Sequence, residues 1–388
     1  MAGPSQATAQ TVVVLGGGVG GVATANRLRH RLHRRHRVLL INRDDDFTFA
    51  ASYLWVMSGG RRAHQVTRPL RALERRGIDV LIGDIEHIDP AARRVTVAGR
   101  EITADHLVVS LGADYATEYI DGLADHGETY ATLAGAERLA PKIAALTTGR
   151  VLVVTAAPLY RCPAAPYESA LLIDANLRHA GRRHDVTVAL HSAEPAPMGV
   201  AGANVSRAVT SLLEDRAIEY RPAHQITSVE AGRAEFDDGA SEPFDLLVYM
   251  PPIRSPRVVA DSALHSDSGW IEVDRETFAT KFPGVYAIGD NTQVPLSVGK
   301  PLPRAGVFAH AQARVVADNI AATIRGEVPN ATFEGRGGCF VETGFAKAGY
   351  GSGDFYAEPA PEVTLRRPSR RSHLEKALFE FNVMHRWL

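Results

Sequence analysis

Short apolar runs of strand length alternate with longer stretches of helical period along most of the chain. Thr11 to Leu15 is an apolar strand run. Glycines follow at once, and a helical stretch from Val22 to His33 leads to a second strand run, Arg37 to Ile41. Strand, turn, helix and strand in that order open a doubly wound sheet. Arg94–Val97 and His106–Leu111 add two strand candidates. Val151–Thr155 starts a second alternating half, with helix Glu168–His179, strand Asp185–Leu190, helix Val205–Arg216 and strand Phe244–Met250. Gly284–Ile288 reads as a strand returning to the first sheet, and Phe308–Ile324 as a helix rich in Ala and Val. A glycine-rich patch from Gly335 to Gly353, a Pro/Arg-rich segment and a helical stretch from Leu374 to Leu388 complete the chain. The pattern predicts two alternating α/β halves and a C-terminal piece.

Composition narrows the function classes. A chain of 388 residues, 45% apolar and 22% charged, is ordinary for a folded protein of two or three domains. Its net charge of −1 provides no field for nucleic acid, and none is expected as a partner. Two cysteines are too few for a disulfide-stapled scaffold or an all-cysteine metal site. No metal is expected. Met1 to Gln10 is polar and small, without the basic and apolar regions of an export signal, and no apolar run reaches the ~18 residues of a spanning helix. A cytoplasmic protein is expected.

The loop after the first strand, Gly16-Gly17-Gly18-Val19-Gly20-Gly21, holds G-x-G-x-x-G at Gly16, Gly18 and Gly21. These glycines permit a tight turn, close approach of a pyrophosphate and close helix–strand packing, with a helix N-terminus facing the phosphates. At the end of the second strand, where an acid usually binds ribose, stand Asn42 and Arg43. Asn42 offers an uncharged amide, and Arg43 a group for adenine or phosphate. The following Asp44-Asp45-Asp46 reads as a solvated turn. Far downstream, Phe282-Pro283-Gly284-Val285-Tyr286-Ala287-Ile288-Gly289-Asp290 resembles the second FAD motif of two-dinucleotide flavoproteins, and Ser110-Leu111-Gly112 resembles their crossover motif. This resemblance implies FAD. The expected fold class is α/β with two Rossmann-like dinucleotide-binding domains. The FAD domain is discontinuous (residues 1–115 and 251–330), and the second domain (116–250) is degenerate. Residues 331–388 form a redox and membrane-docking segment. In the second domain the strand runs into Thr155-Ala156-Ala157-Pro158-Leu159-Tyr160, with no glycine loop for NAD(P)H.

Arg161-Cys162-Pro163-Ala164-Ala165-Pro166-Tyr167-Glu168 resembles the R-C-P-x-x-P-Y-E segment of sulfide:quinone oxidoreductases and of flavocytochrome c sulfide dehydrogenase flavoprotein subunits. Leu302-Pro303-Arg304-Ala305-Gly306 resembles their V-P-K-T-G segment, Arg304 replacing lysine, and Gly338-Cys339-Phe340 falls where they have a second redox cysteine. The resemblance implies a Cys162–Cys339 redox pair, attacked by sulfide or a related small sulfur donor, with Cys339 facing the flavin. It places Gly112, Gly289, Asp290, Arg304 and Gly306 at FAD. The third cysteine of the best-known quinone reductases is absent, and with both cysteines assigned to the pair FAD is expected to be non-covalent.

Leu365 to His373 is basic, and Leu374, Leu378, Phe381, Val383, Met384, Trp387 and Leu388 make a largely one-sided apolar helix after it. A basic, Trp-ended amphipathic helix describes a membrane-surface anchor. Quinone is then the expected acceptor, with Phe340, Tyr350, Phe355 and Tyr356 as candidates for its slot, and the protein is placed peripherally on the inner face of the cell membrane. Packing on the protein itself or on a dimer mate is the other reading of the tail. An NADH:quinone oxidoreductase and a flavin-binding protein without turnover are the other functional readings.

Overall fold

The computed structural model describes residues 8–388. The reading of Met1 to Ala7 as free of an export signal lies outside the described residues. Five parallel strands form the first sheet, in the order 285–287, 106–109, 11–15, 37–42, 79–82. Val12, Val13, Val14 and Leu15 are all fully buried, because a parallel sheet is covered on both faces. One cover is the helix pair Val19–Arg31 and Gly306–Ile324, joined at its rim by Arg27 and Arg31 on Asp318. The strand Val285–Ala287 pairs with His106–Val109, so the chain leaves the first sheet, builds the second and returns. The second sheet, also parallel, runs 127–129, 246–250, 149–155, 186–192, 219–221. Helices Ala165–His179 and Ala203–Glu214 connect its strands.

Three segments gain a definite place. Arg94–Val97 is a strand, but in a separate antiparallel sheet with Ile85–Asp89 and Arg100–Thr103. The glycine-rich patch is not a loop: Arg336–Gly344 and Lys347–Asp354 form an antiparallel hairpin closed by Phe345 and Ala346, both at positive φ. Its glycines serve close packing, since a Cβ on Gly337 would lie 2.2 Å from the Phe308 ring. The basic segment is likewise ordered, Glu362–Ser369 adding a third strand to the hairpin.

The last helix, Arg370–Asn382, is capped by the Ser369 hydroxyl and ends in a wider turn, Val383–Trp387. Its apolar residues do not share one side. Val383 and Met384 are buried, and Trp387 stacks on His310 with ring centroids 4.7 Å apart. Leu374, Leu378 and Phe381 remain 66%, 60% and 50% exposed. The buried face of the helix carries Ser372, Lys376 and Glu380, one turn apart each. Among the described residues no helix is long and apolar enough to cross a membrane.

Candidate functional site

The first glycine loop has the geometry its motif requires. Gly16 sits at φ +101°, and a Cβ there would lie 2.2 Å from the Ser110 carbonyl oxygen. A Cβ on Gly21 would meet the Gly16 oxygen at 1.8 Å, whereas one on Gly18 would meet nothing within 4 Å, leaving that face open for a phosphate. Asn42 closes the loop from the side: its Oδ1 accepts from the Gly17 N–H at 2.7 Å and its Nδ2 donates to the Asp44 oxygen at 2.8 Å. Much of the amide thus shapes the loop instead of awaiting a ribose. Arg43 is exposed, as are all three aspartates after it.

The other motifs converge on the same end of the first sheet. The Gly112 N–H donates to Asn291 Oδ1 (3.1 Å) and the Gly289 N–H to Gln312 Oε1 (2.7 Å), so two side chains the motifs did not name lock the crossing loops. Gly306 starts its helix against Val19, which brings two helix N-termini together. Asp290 is buried and its carboxylate accepts from Arg161 Nε at 2.7 Å. Arg304 is 5% exposed, donates from Nε to the Asp290 oxygen (2.9 Å), and stacks 3.9 Å over the Trp270 ring. Its Nη1 has no partner. Burial lowers its pKa to about 10. An open phosphate cradle, paired helix N-termini and a buried cation with a free N–H fit a flavin dinucleotide.

The cysteine pair is assembled from two distant segments. Cys162 lies in the crossing from strand Gly149–Thr155 to helix Ala165–His179, at φ +55°, which a non-glycine residue adopts only where its surroundings hold it. Its N–H donates to the Arg304 oxygen at 2.8 Å, tying the sulfur loop to the flavin motif. Cys339 arrives on the hairpin strand, two residues past the glycine that packs on Phe308. The two sulfurs hydrogen-bond each other as free thiols. That bond raises the pKa of Cys162 and lowers that of Cys339, which the Lys376 ammonium and the Phe340 N–H also favour as the thiolate. Arg161, the neighbour of Cys162, donates from Nη1 to Tyr115 Oη at 3.3 Å.

Beneath the pair lies a charged cluster that sequence reasoning missed. Glu168, Glu342 and Lys376 are all nearly fully buried. Lys376 Nζ donates to Glu168 Oε1 (3.2 Å) and lies 3.8 Å from Glu342, the Glu342 N–H donates to Glu168 (2.8 Å), and His373 Nδ1 reaches Glu342 at 3.1 Å. Burial works against the charge on Lys376, but the two carboxylates outweigh it and raise its pKa. Burial pushes the Glu342 carboxyl up despite Lys376. The available signals were Glu168 in the cysteine motif and a lone lysine within an apolar helix.

Phe340 and Tyr350 face each other across the hairpin, ring centroids 4.9 Å apart. Phe355 and Tyr356 do not join them; they pack on Phe308 and Phe333 in the core of the first domain. In the second domain, Glu194 stands two residues past the strand Val186–Ser192, near where a nucleotide ribose would be read. Its carboxylate instead accepts from the Tyr160 and Tyr167 hydroxyls, the latter at 3.0 Å. Tyr160 is itself buried in the core beside that sheet.

Residues 10–313 match the family description pyridine nucleotide-disulphide oxidoreductase. The sulfide-quinone reductase of Aquifex aeolicus is 27% identical, over 96% of this chain and 90% of that protein. The mitochondrial sulfide:quinone oxidoreductase of Mus musculus is 23% identical over 90% of this chain and 79% of its own length. The solved structure of the Aquifex aeolicus sulfide:quinone oxidoreductase superposes with a TM-score of 0.88 at 25% identity, covering 98% of this chain and 91% of that one. The chain belongs to the pyridine nucleotide-disulphide oxidoreductase family and is an FAD-dependent oxidoreductase.

Proposed function

We propose that this enzyme oxidises sulfide through the Cys162–Cys339 pair and passes the electrons to a membrane quinone, with FAD held non-covalently. The observation that carries the reading is the meeting of two sulfurs from distant segments, hydrogen-bonded to each other and tied by the Cys162 N–H to the Arg304 carbonyl. FAD supplies a two-electron acceptor and donor between the sulfur site and the quinone. Gly16, Gly18, Gly21, Asn42, Arg43 and Gly112 take its dinucleotide end, and Gly289, Asp290, Arg304 and Gly306 its flavin end. Both cysteines are committed to each other, which leaves none for a covalent tether.

In the oxidised enzyme the pair is a disulfide. Hydrosulfide attacks its Cys162 sulfur, one S–S bond forms as the other breaks, and Cys339 leaves as the thiolate. The causes that lower the Cys339 pKa make it the better leaving group of the two. Phe340, next to Cys339, and Tyr350, its partner across the hairpin, line the quinone side. The exposed Leu374, Leu378 and Phe381 support docking of the C-terminal helix on a membrane surface, proposed here to be the cytoplasmic one. The domain limits proposed with this reading are 115/116, 250/251 and 330/331. Purified Cys162→Ser and Cys339→Ser proteins test the reading. Each is expected to keep its flavin and lose sulfide-driven bleaching. Full bleaching in either variant refutes the pair.

A further inference from the structure

The strand that delivers Cys339, Arg336–Gly344, lies along the helix that follows Cys162, Ala165–His179. Two close approaches fix how far along the helix it sits. Three residues past Cys339, the Glu342 N–H donates to Glu168 Oε1 at 2.8 Å. At the end of the strand, a Cβ on Gly344 would lie 2.2 Å from the Ala175 Cβ, so strand and helix touch there. The spacings agree. From Cys339 to Gly344 an extended strand advances about 17 Å, and from Ala165 to Ala175 a helix advances about 15 Å.

That far end is fastened by a third element. Arg216 stands in the turn after helix Ala203–Glu214, and its Nη2 donates to the Thr343 oxygen at 3.0 Å. The guanidinium also lies 5.1 Å from the centre of the Phe345 ring, at the hairpin tip. Its Nη1 donates to Asp174 Oδ2 at 2.9 Å. Asp174, on the helix itself, is 0% exposed. Arg178 and Arg183 donate to the same carboxylate from Nε at 2.9 and 2.7 Å, and both reach the Arg216 carbonyl oxygen as well. One buried carboxylate thus gathers three arginines and keeps one of them aimed at the hairpin.

We propose that Arg216, oriented by Asp174, is a positioning residue for the sulfur pair, an inference that rests on the Cys162–Cys339 disulfide of the function above. A disulfide joins its sulfurs at ~2 Å, whereas one residue of slip along a strand moves a side chain by ~3.4 Å. Holding the Thr343 oxygen therefore favours the disulfide over the open dithiol, whose sulfurs need only touch. Two glutathione thiols reduce the pair by breaking the Cys162–Cys339 bond and forming one glutathione disulfide, which leaves two cysteine thiols. Loosening the strand makes that exchange easier, so the pair without Arg216 is the stronger oxidant.

The test equilibrates wild type, Arg216→Ala, Arg216→Lys and Arg178→Ala anaerobically with glutathione redox buffers. Thiols are trapped by alkylation and the reduced fraction of the pair is read by mass spectrometry. In Arg216→Ala the ratio [GSH]²/[GSSG] that reduces half the pair should fall about tenfold or more, a potential about 30 mV more positive. A lysine keeps Asp174 paired but lacks the fork that also reaches Thr343, so Arg216→Lys should move the same way. Arg178→Ala likewise takes an arginine from Asp174 but leaves the Thr343 contact, and should keep the wild-type ratio whatever its thermal midpoint. Unchanged ratios in both Arg216 variants overturn the inference. So does an equal shift in Arg178→Ala, the sign of general loosening. A wild-type chain that forms no Cys162–Cys339 disulfide at any ratio overturns the functional reading and this inference together; a disulfide indifferent to Arg216 overturns this inference alone.

Discussion

Cys162 and Cys339 share one proton-bearing contact, so they do not behave as two equal thiols. The hydrogen bond, Lys376 and the Phe340 N–H all favour the thiolate on Cys339. In the reduced enzyme, iodoacetamide at a pH below the ordinary thiol range of ~8.5 should label Cys339 ahead of Cys162, as peptide mass spectrometry will read; preferential labelling of Cys162 contradicts the assignment. At the first glycine loop, Gly21→Ala forces a Cβ against a carbonyl oxygen at 1.8 Å. The expected product is a colourless protein, and a normal flavin spectrum would show that the loop is not the cradle. These residues were legible in the sequence because their chemistry depends on local spacing: glycines around one turn, or a cysteine flanked by arginine and prolines. Asn42 was visible by position, but its bond to the Gly17 N–H was not, since that arises only once strand and loop lie side by side. Tyr115, Asn291 and Gln312 were not legible, because each acts on a segment remote in sequence.

At the scale of elements, the C-terminal helix shows what periodicity alone conceals. Its heavy apolar content was clear, yet Lys376 and Glu380 face inward and three apolar residues face out. Partners on other elements decide this: Glu168 and Glu342 take Lys376, while Ser52 and Arg61 take Glu380. Removing one member strands the others, so Lys376→Met should cost about 3–5 kcal/mol, read by denaturant unfolding. The raised Lys376 pKa means this contribution is complete below the unfolded lysine value of ~10.4 and fades as pH rises through the higher folded one. The outward face carries a separate expectation. Leu374→Asp with Leu378→Asp should reduce sedimentation with anionic lipid vesicles severalfold while leaving the thermal midpoint within a few degrees; undiminished vesicle binding would remove the helix as the anchor. In the second sheet, His191 is buried against His224, their Nδ1 atoms 3.0 Å apart, and burial lowers its pKa to about 3. The folded state then binds fewer protons than the unfolded chain between pH ~6.5 and about 3, so stability falls as pH drops through that window. His191→Gln should flatten the acid limb of a melting-temperature profile.

At the scale of the molecule, two parallel sheets of similar design do different work. The first keeps its glycine loop and the open face at Gly18. The second has the same strand–crossing–helix layout, but its crossing holds Tyr160, Arg161 and Cys162, and the carboxylate at its second strand is occupied by two tyrosines. The alternation of strands and helices made both sheets legible. The hairpin that delivers Cys339 was not, because glycines that permit backbone contact look the same in sequence as glycines that make a loop flexible. In the proposed function, electrons enter at the sulfur pair and not from a nicotinamide. Anaerobic absorbance of the purified yellow protein, titrated separately with sulfide and with NADH, tests this most directly. Sulfide should bleach the flavin at about one equivalent, a quinone analogue should restore the colour, and NADH should leave the spectrum unchanged. Bleaching by NADH with no response to sulfide would contradict it.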